Sequence, residues 1–82
     1  MVEIEVRYFA AAAEAAGCAK ETLPLPDSPT VRDVDAALRE RHGADMARVL
    51  SVAAFLVGDE LTRDPGFAVG GAVDVLPPFA GG

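Results

Sequence analysis

Few of the 82 residues are of a type that does chemistry unaided, and the one best placed for it is the last, Gly82. The chain has a single histidine and a single cysteine. His42 has no Cys, His or Asp companion at ligand spacing, so a structural role at a helix end outweighs a metal site. Cys18 alone can make neither an internal disulfide nor a cysteine-rich zinc site, and it reads as a reduced loop or part-buried thiol. No nucleophile has both a base and an orienting group near it in the pattern. Gly70-Gly71 and Gly81-Gly82 lack the strand-to-helix setting and the lysine of a phosphate loop. The acids are scattered over solvent-facing positions. An independent active site is therefore not expected, and neither a bound cofactor nor a metal.

The final stretch, Val73-Asp-Val-Leu-Pro-Pro-Phe-Ala-Gly-Gly82, is different. Val73 and Val75 alternate with Asp74 as a half-buried strand does. Pro77-Pro78 must end that strand, because neither ring nitrogen can donate to a ladder, and they hold the chain extended. From Pro77 onward six residues span roughly 20 Å when extended. Phe79, Ala80, Gly81 and Gly82 then form a narrowing tip that ends in a carboxylate. A carboxylate is a poor electrophile until activated, and ATP can activate it as an acyl-adenylate. Glycine lets the backbone approach a nucleotide closely, since it has no Cβ. The activated carbonyl can accept sulfide to give a thiocarboxylate or an amine to give an isopeptide. The tip alone does not choose between them.

Such a tail needs a body to anchor it. Val2, Ile4, Val6 and Tyr8 alternate with Glu3, Glu5, Arg7 and Phe9, which gives a first strand with Phe9 on its outer face. Ala10 to Ala16 reads as a short helix closed by Gly17. Glu21 to Leu25 reads as an edge strand, because Pro24 suits no central one. Thr30 and Asp33 form a capping-box pattern at the start of the main helix. Val31, Val34, Leu38 and Met46 give that helix its apolar stripe, Gly43 ends it, and His42 is favourable in the last turn as a cation. Val49 to Val57 reads as a central strand, with Phe55 and Val57 inward and Leu56 outward. Gly58-Asp59 suits a tight hairpin into Leu61-Thr62. Phe67 is expected to plug the core from a short helical turn, after a turn at Asp64-Pro65-Gly66. In the last strand Val73 and Val75 point in, and Asp74 and Leu76 point out. One helix on one mixed sheet is an α+β, two-layer domain, 1–82, with the first and last strands paired at the sheet centre.

Val6 to Gly17 resembles the opening of the molybdopterin synthase small-subunit family, and Thr30 to Gly43 resembles that family's main helix. Val57-Gly58-Asp59-Glu60 and Leu76-Pro77-Pro78-Phe79-Ala80-Gly81-Gly82 resemble its hairpin and its Pro-Pro-x-x-Gly-Gly terminus. The resemblance implies a β-grasp, ubiquitin-like fold and a sulfur carrier. Gly82 would be adenylated by an E1-like enzyme that uses the ATP, and sulfur from a sulfurtransferase donor would convert it to a thiocarboxylate. The tail, Pro77 to Gly81, would line a channel in the large synthase subunit. Departures are Gly70-Gly71-Ala72-Val73 where the family usually has Gly-Asp-Glu-Val, Gly58 in place of an Asn, and Phe79 in place of a Val. The thiamine sulfur-carrier family also ends in Gly-Gly but generally lacks Pro-Pro. Carriers for cysteine synthesis or a ubiquitin-like protein modifier share the design.

Composition narrows the partners. The formal charge is −6, with 13 acidic residues against 7 basic ones, which disfavours nucleic acid and favours a basic partner surface. No apolar run approaches a membrane span and no signal-peptide pattern precedes the first strand, so a cytoplasmic location is the expectation. Phe9, Leu56, Leu76 and Phe79 are expected to form an outward apolar patch beside the tail root, for docking the activating enzyme and the synthase subunit.

Overall fold

A computed structural model describes residues 1–78. The first strand, β1 (Val2–Tyr8), is followed by α1 (Ala11–Ala16), β2 (Lys20–Leu25), α2 (Val31–His42), α3 (Ala44–Leu50), β3 (Ala54–Val57), β4 (Glu60–Thr62) and β5 (Ala72–Leu76). The strands form one five-stranded sheet in the order β2-β1-β5-β3-β4. β1 and β5 run parallel, with Val6 opposite Val73 and Tyr8 opposite Val75, and the other pairs are antiparallel. This is the β-grasp arrangement. It follows from the alternating patterns, because strands apolar on one side must all turn that side to the helices.

The core lies between the sheet and the helices. Ile4, Val6 and Tyr8 of β1, Leu23 and Leu25 of β2, Phe55 of β3 and Val73 and Val75 of β5 are buried against Val31, Val34, Leu38, Met46 and Leu50. The main helix starts as its sequence demands: the Asp33 carboxylate accepts from the Thr30 backbone N–H at 2.8 Å. The Gly58-Asp59 hairpin is formed too, with Val57 opposite Glu60 and Gly58 at φ +65°. That φ lies in the left-handed region, which glycine enters without the steric cost of a Cβ. No helix of the described residues is long and apolar enough to cross a membrane.

Four expectations are corrected. Val49 to Val57 is not one strand: its first two residues end a third helix, and only Ala54–Val57 is extended, one place away from the sheet centre. Met46 therefore belongs to α3 rather than to the stripe of α2, and it buries with Leu50 one turn later. Phe67 packs half-buried against the core, but from a loop rather than a helical turn; the residue fully enclosed in that loop is Val69. Asp74 points outward as expected but is buried, at 5% exposure.

Candidate functional site

The tail leaves the body from the middle of the sheet. β5 has β1 on one side and β3 on the other, and Val73 and Val75 seal its inner face. Leu76, the last residue of the strand, is still paired with Ala54. The ladder stops at Pro77, which is half-buried, and Pro78 is exposed. A strand held on both edges gives the exit a fixed position and direction. Phe79, Ala80, Gly81 and Gly82 lie outside the described residues.

The outer face of the sheet divides in two around this exit. On the β2–β1 side it is charged. Arg7 donates from Nε and Nη2 to the two carboxylate oxygens of Asp74 at 2.7 and 3.0 Å, and Lys20 lies 3.8 Å from Glu5. The fork-on-fork geometry explains how a carboxylate can be buried there, since both its oxygens are satisfied. Hydrogen bonding to Asp74 and its charge raise the Arg7 pKa further above its ordinary value. On the β3–β4 side the face is apolar. Leu56 lies opposite Leu61 and Ala54 opposite Leu76. Leu61 is 60% exposed and Val52 48%. With Pro77, Pro78 and Arg63, these residues other than Leu56 line a shallow groove at the tail root. Phe9, also exposed, follows Tyr8, whose register partner is Val75, so it stands level with Leu76.

Of the residues expected in an outward patch, Leu76 lies in this groove with Pro77 and Pro78, while Leu56 and Phe9 are not among its lining residues. The sequence reading missed Val52, Ala54 and Leu61. Leu61 was open to inference, because a two-residue turn at Gly58-Asp59 puts it directly across from Leu56. Val52 was hidden by its assignment to a strand.

The other ionisable residues serve the body. His42, at the end of α2, meets Glu21 through Nε2, and Arg41 donates to the same carboxylate at 2.9 Å. The Tyr8 hydroxyl donates to it as well. Desolvation by burial pushes the Glu21 pKa up, but the hydrogen bonds from Tyr8, His42 and Arg41 outweigh it and hold the group below its ordinary value. Burial and the bond to Glu21 push the Tyr8 hydroxyl well up. These contacts tie the end of the main helix to the edge strand and β1. Cys18 is exposed in the turn before β2. Among the described residues no three His, Cys, Asp or Glu side chains are grouped to hold a metal ion.

Residues 6–82 match the ThiS family. The chain belongs to that family. Its members are ubiquitin-fold sulfur carriers or modifiers, small carrier proteins rather than enzymes as a rule. Among solved structures, the chain is similar to SAMP1 from Haloferax volcanii, with 28% identity, 99% of this chain and 100% of that one covered, and a TM-score of 0.83. It is similar in fold to a proposed molybdopterin converting factor subunit 1 from Pyrococcus furiosus, at 22% identity, 96% and 100% coverage and a TM-score of 0.77. It also shares the fold of a chain in the complex of subunits 1 and 2 of the molybdopterin-converting factor from Helicobacter pylori, at 22% identity, 99% and 100% coverage and a TM-score of 0.69. No match was found among curated proteins.

Proposed function

We propose that this ThiS-family chain carries sulfur on Gly82 as the small subunit of a molybdopterin synthase. The observation that supports this most is the tail root: an interior strand that ends in Pro77-Pro78 beside an unpartnered apolar half-face. In this reading an E1-like enzyme binds the ATP, and the Gly82 carboxylate attacks its α-phosphorus. Pyrophosphate leaves and an acyl-adenylate forms. The outer sulfur of a sulfurtransferase persulfide attacks the carbonyl carbon and AMP leaves; a thiol reductant then cleaves the resulting acyl disulfide, which frees the sulfurtransferase thiol and leaves the thiocarboxylate. Phe9, Leu56, Leu76 and Phe79 dock first the activating enzyme and then the large synthase subunit, while Pro77 to Gly81 occupy the partner's channel. The Helicobacter pylori relative in fold, solved as a complex of subunits 1 and 2, supports a large-subunit partner. The carrier itself binds no cofactor.

Intact mass spectrometry tests the reading. After incubation with ATP, a sulfur donor and the E1-like enzyme, the chain should exchange one terminal oxygen for sulfur, and deletion of Gly82 should abolish the exchange. An unchanged yield after the deletion sinks it. A second reading, conjugation of Gly82 to target lysines, draws on the similarity to SAMP1, which a second Haloferax volcanii structure names a small archaeal modifier protein. Cell extracts would then show higher-mass adducts that vanish with Gly82. Sulfur transfer without adducts decides for the carrier.

A further inference from the structure

The chain carries 13 acidic and 7 basic residues, so a guanidinium without a carboxylate partner stands out. Among the described residues Arg7, Lys20, Arg39, Arg41 and Arg48 each lie within ion-pair distance of an Asp or Glu. Arg32 and Arg63 do not. Far apart in sequence, these two line one groove between the start of α2 and the loop after β4, over a floor of Val31, Leu50, Ala53 and Phe55. Arg63 is steadied by donating to the carbonyls of Val52 and Ala53, which uses only part of its five-donor fork. The Arg32 backbone N–H donates to the Pro65 carbonyl at 2.9 Å, which fixes the start of the helix against the same loop. The acid on the rim, Asp35, is already paired with Arg39.

We propose that this groove binds a carboxylate-bearing segment of a partner protein. The planar guanidinium forks match a carboxylate in geometry as well as charge. The floor of Val31, Leu50, Ala53 and Phe55 is at most 5% exposed, so it backs the charge pair with a low-dielectric surface rather than offering area for a side chain to cover. The net charge of −6 repels an acidic partner at long range. Recognition is therefore short-range, confined to the groove that Arg32 and Arg63 line. Arg63 also lines the groove at the tail root, so a segment bound here lies next to the exit of the tail. The inference does not rest on the chemistry of Gly82.

The test is an NMR titration of the ¹⁵N-labelled full chain with two acetylated, amidated peptides, Leu-Phe-Glu-Glu and its neutral counterpart Leu-Phe-Gln-Gln. The acidic peptide should shift the amides of Arg32, Leu50 to Phe55 and Arg63 saturably, and bind about tenfold more tightly than the neutral one. Arg63→Gln also removes bonds that hold the end of α3, so the decisive variant is Arg32→Gln at an exposed position, which should weaken the acidic peptide about tenfold. Equal binding of the two peptides, or indifference to Arg32→Gln, overturns the proposal. So does inorganic phosphate giving the same shifts with the same affinity, which would make the groove a simple anion site. Shifts that grow with protein concentration in the absence of peptide would assign the groove to a second copy and overturn it equally.

Discussion

The two halves of the outer sheet face are built from the same kind of strand, yet they are finished in opposite ways. Across β1 and β2 the basic side chains are paired within the molecule: Arg7 holds Asp74, and Lys20 approaches Glu5. Across β3 and β4 the side chains are Ala54, Leu56 and Leu61, with Leu61 largely in water. Burial of the inner face explains the fold on both sides, and nothing about the fold requires the difference. The charged half is complete as it stands. The apolar half loses free energy by facing water, about 25 cal/mol for each Å² left uncovered, and a partner recovers it. The tail leaves along the boundary, so a partner seated on the apolar half meets the root of the tail without disturbing the ion pairs.

The contrast can be broken most severely by moving a defect from one face to the other. Leu38→Ala, in the fully buried stripe of α2, should cost about 2–5 kcal/mol in chemical denaturation, because it removes transfer energy and leaves a cavity. Leu61→Glu, at an exposed position, should leave the denaturation midpoint within about 0.5 kcal/mol of the parent. The same change should weaken binding of the E1-like enzyme in calorimetry by about tenfold or more, since it places a charge in the docking surface. A large stability loss for Leu61→Glu with binding intact would reverse the assignment.

A smaller effect sharpens the other half. Arg7→Ala strands a carboxylate that is 5% exposed, whereas Asp74→Ala strands a guanidinium that already reaches solvent. Arg7→Ala should therefore lower the melting temperature more than Asp74→Ala, with a difference on the order of several degrees for a domain of this size. Equal losses would show that Asp74 has water available and that the pair is ordinary surface chemistry.

The smallest effect concerns pH. The Glu21 carboxylate is held below its ordinary value of 4.5, so its folded form releases the proton more readily than its unfolded form. Its contribution to stability is then fully present above pH 4.5 and lost as pH falls through the lowered folded pKa. Glu21→Gln should flatten the acid side of the stability curve in that window. A curve that keeps its full acid slope would remove Glu21 from the account.

Much of this was legible in the sequence, and the misses share a cause. Period-two alternation in β1 and β5 gave inside and outside correctly, and Thr30 with Asp33 marked the main helix to the residue. The run from Val49 to Val57 misled because it is apolar and rich in β-formers at nearly every position, so neither period is favoured. The signal that would have corrected it is the Met46–Leu50 spacing after Gly43, with Asp45 and Arg48 on the outer side of the same turn. Asp74 looked like a solvated residue because its partner, Arg7, lies at the other end of the chain. Parity shows which way a side chain points, but a pair across two distant strands needs their register. The same holds for Arg32 and Arg63, which look like ordinary surface charges until the loop after β4 folds against α2.

The central claim is that the body exists to present one carboxylate, that of Gly82. Its most direct test is fragmentation mass spectrometry of the chain after reaction with ATP, a sulfur donor and the E1-like enzyme, to place the added sulfur. The account predicts sulfur in the C-terminal fragment that contains Gly82, and none elsewhere. Sulfur found on Cys18 alone, as a persulfide, with the C-terminal fragment unaltered, would contradict it.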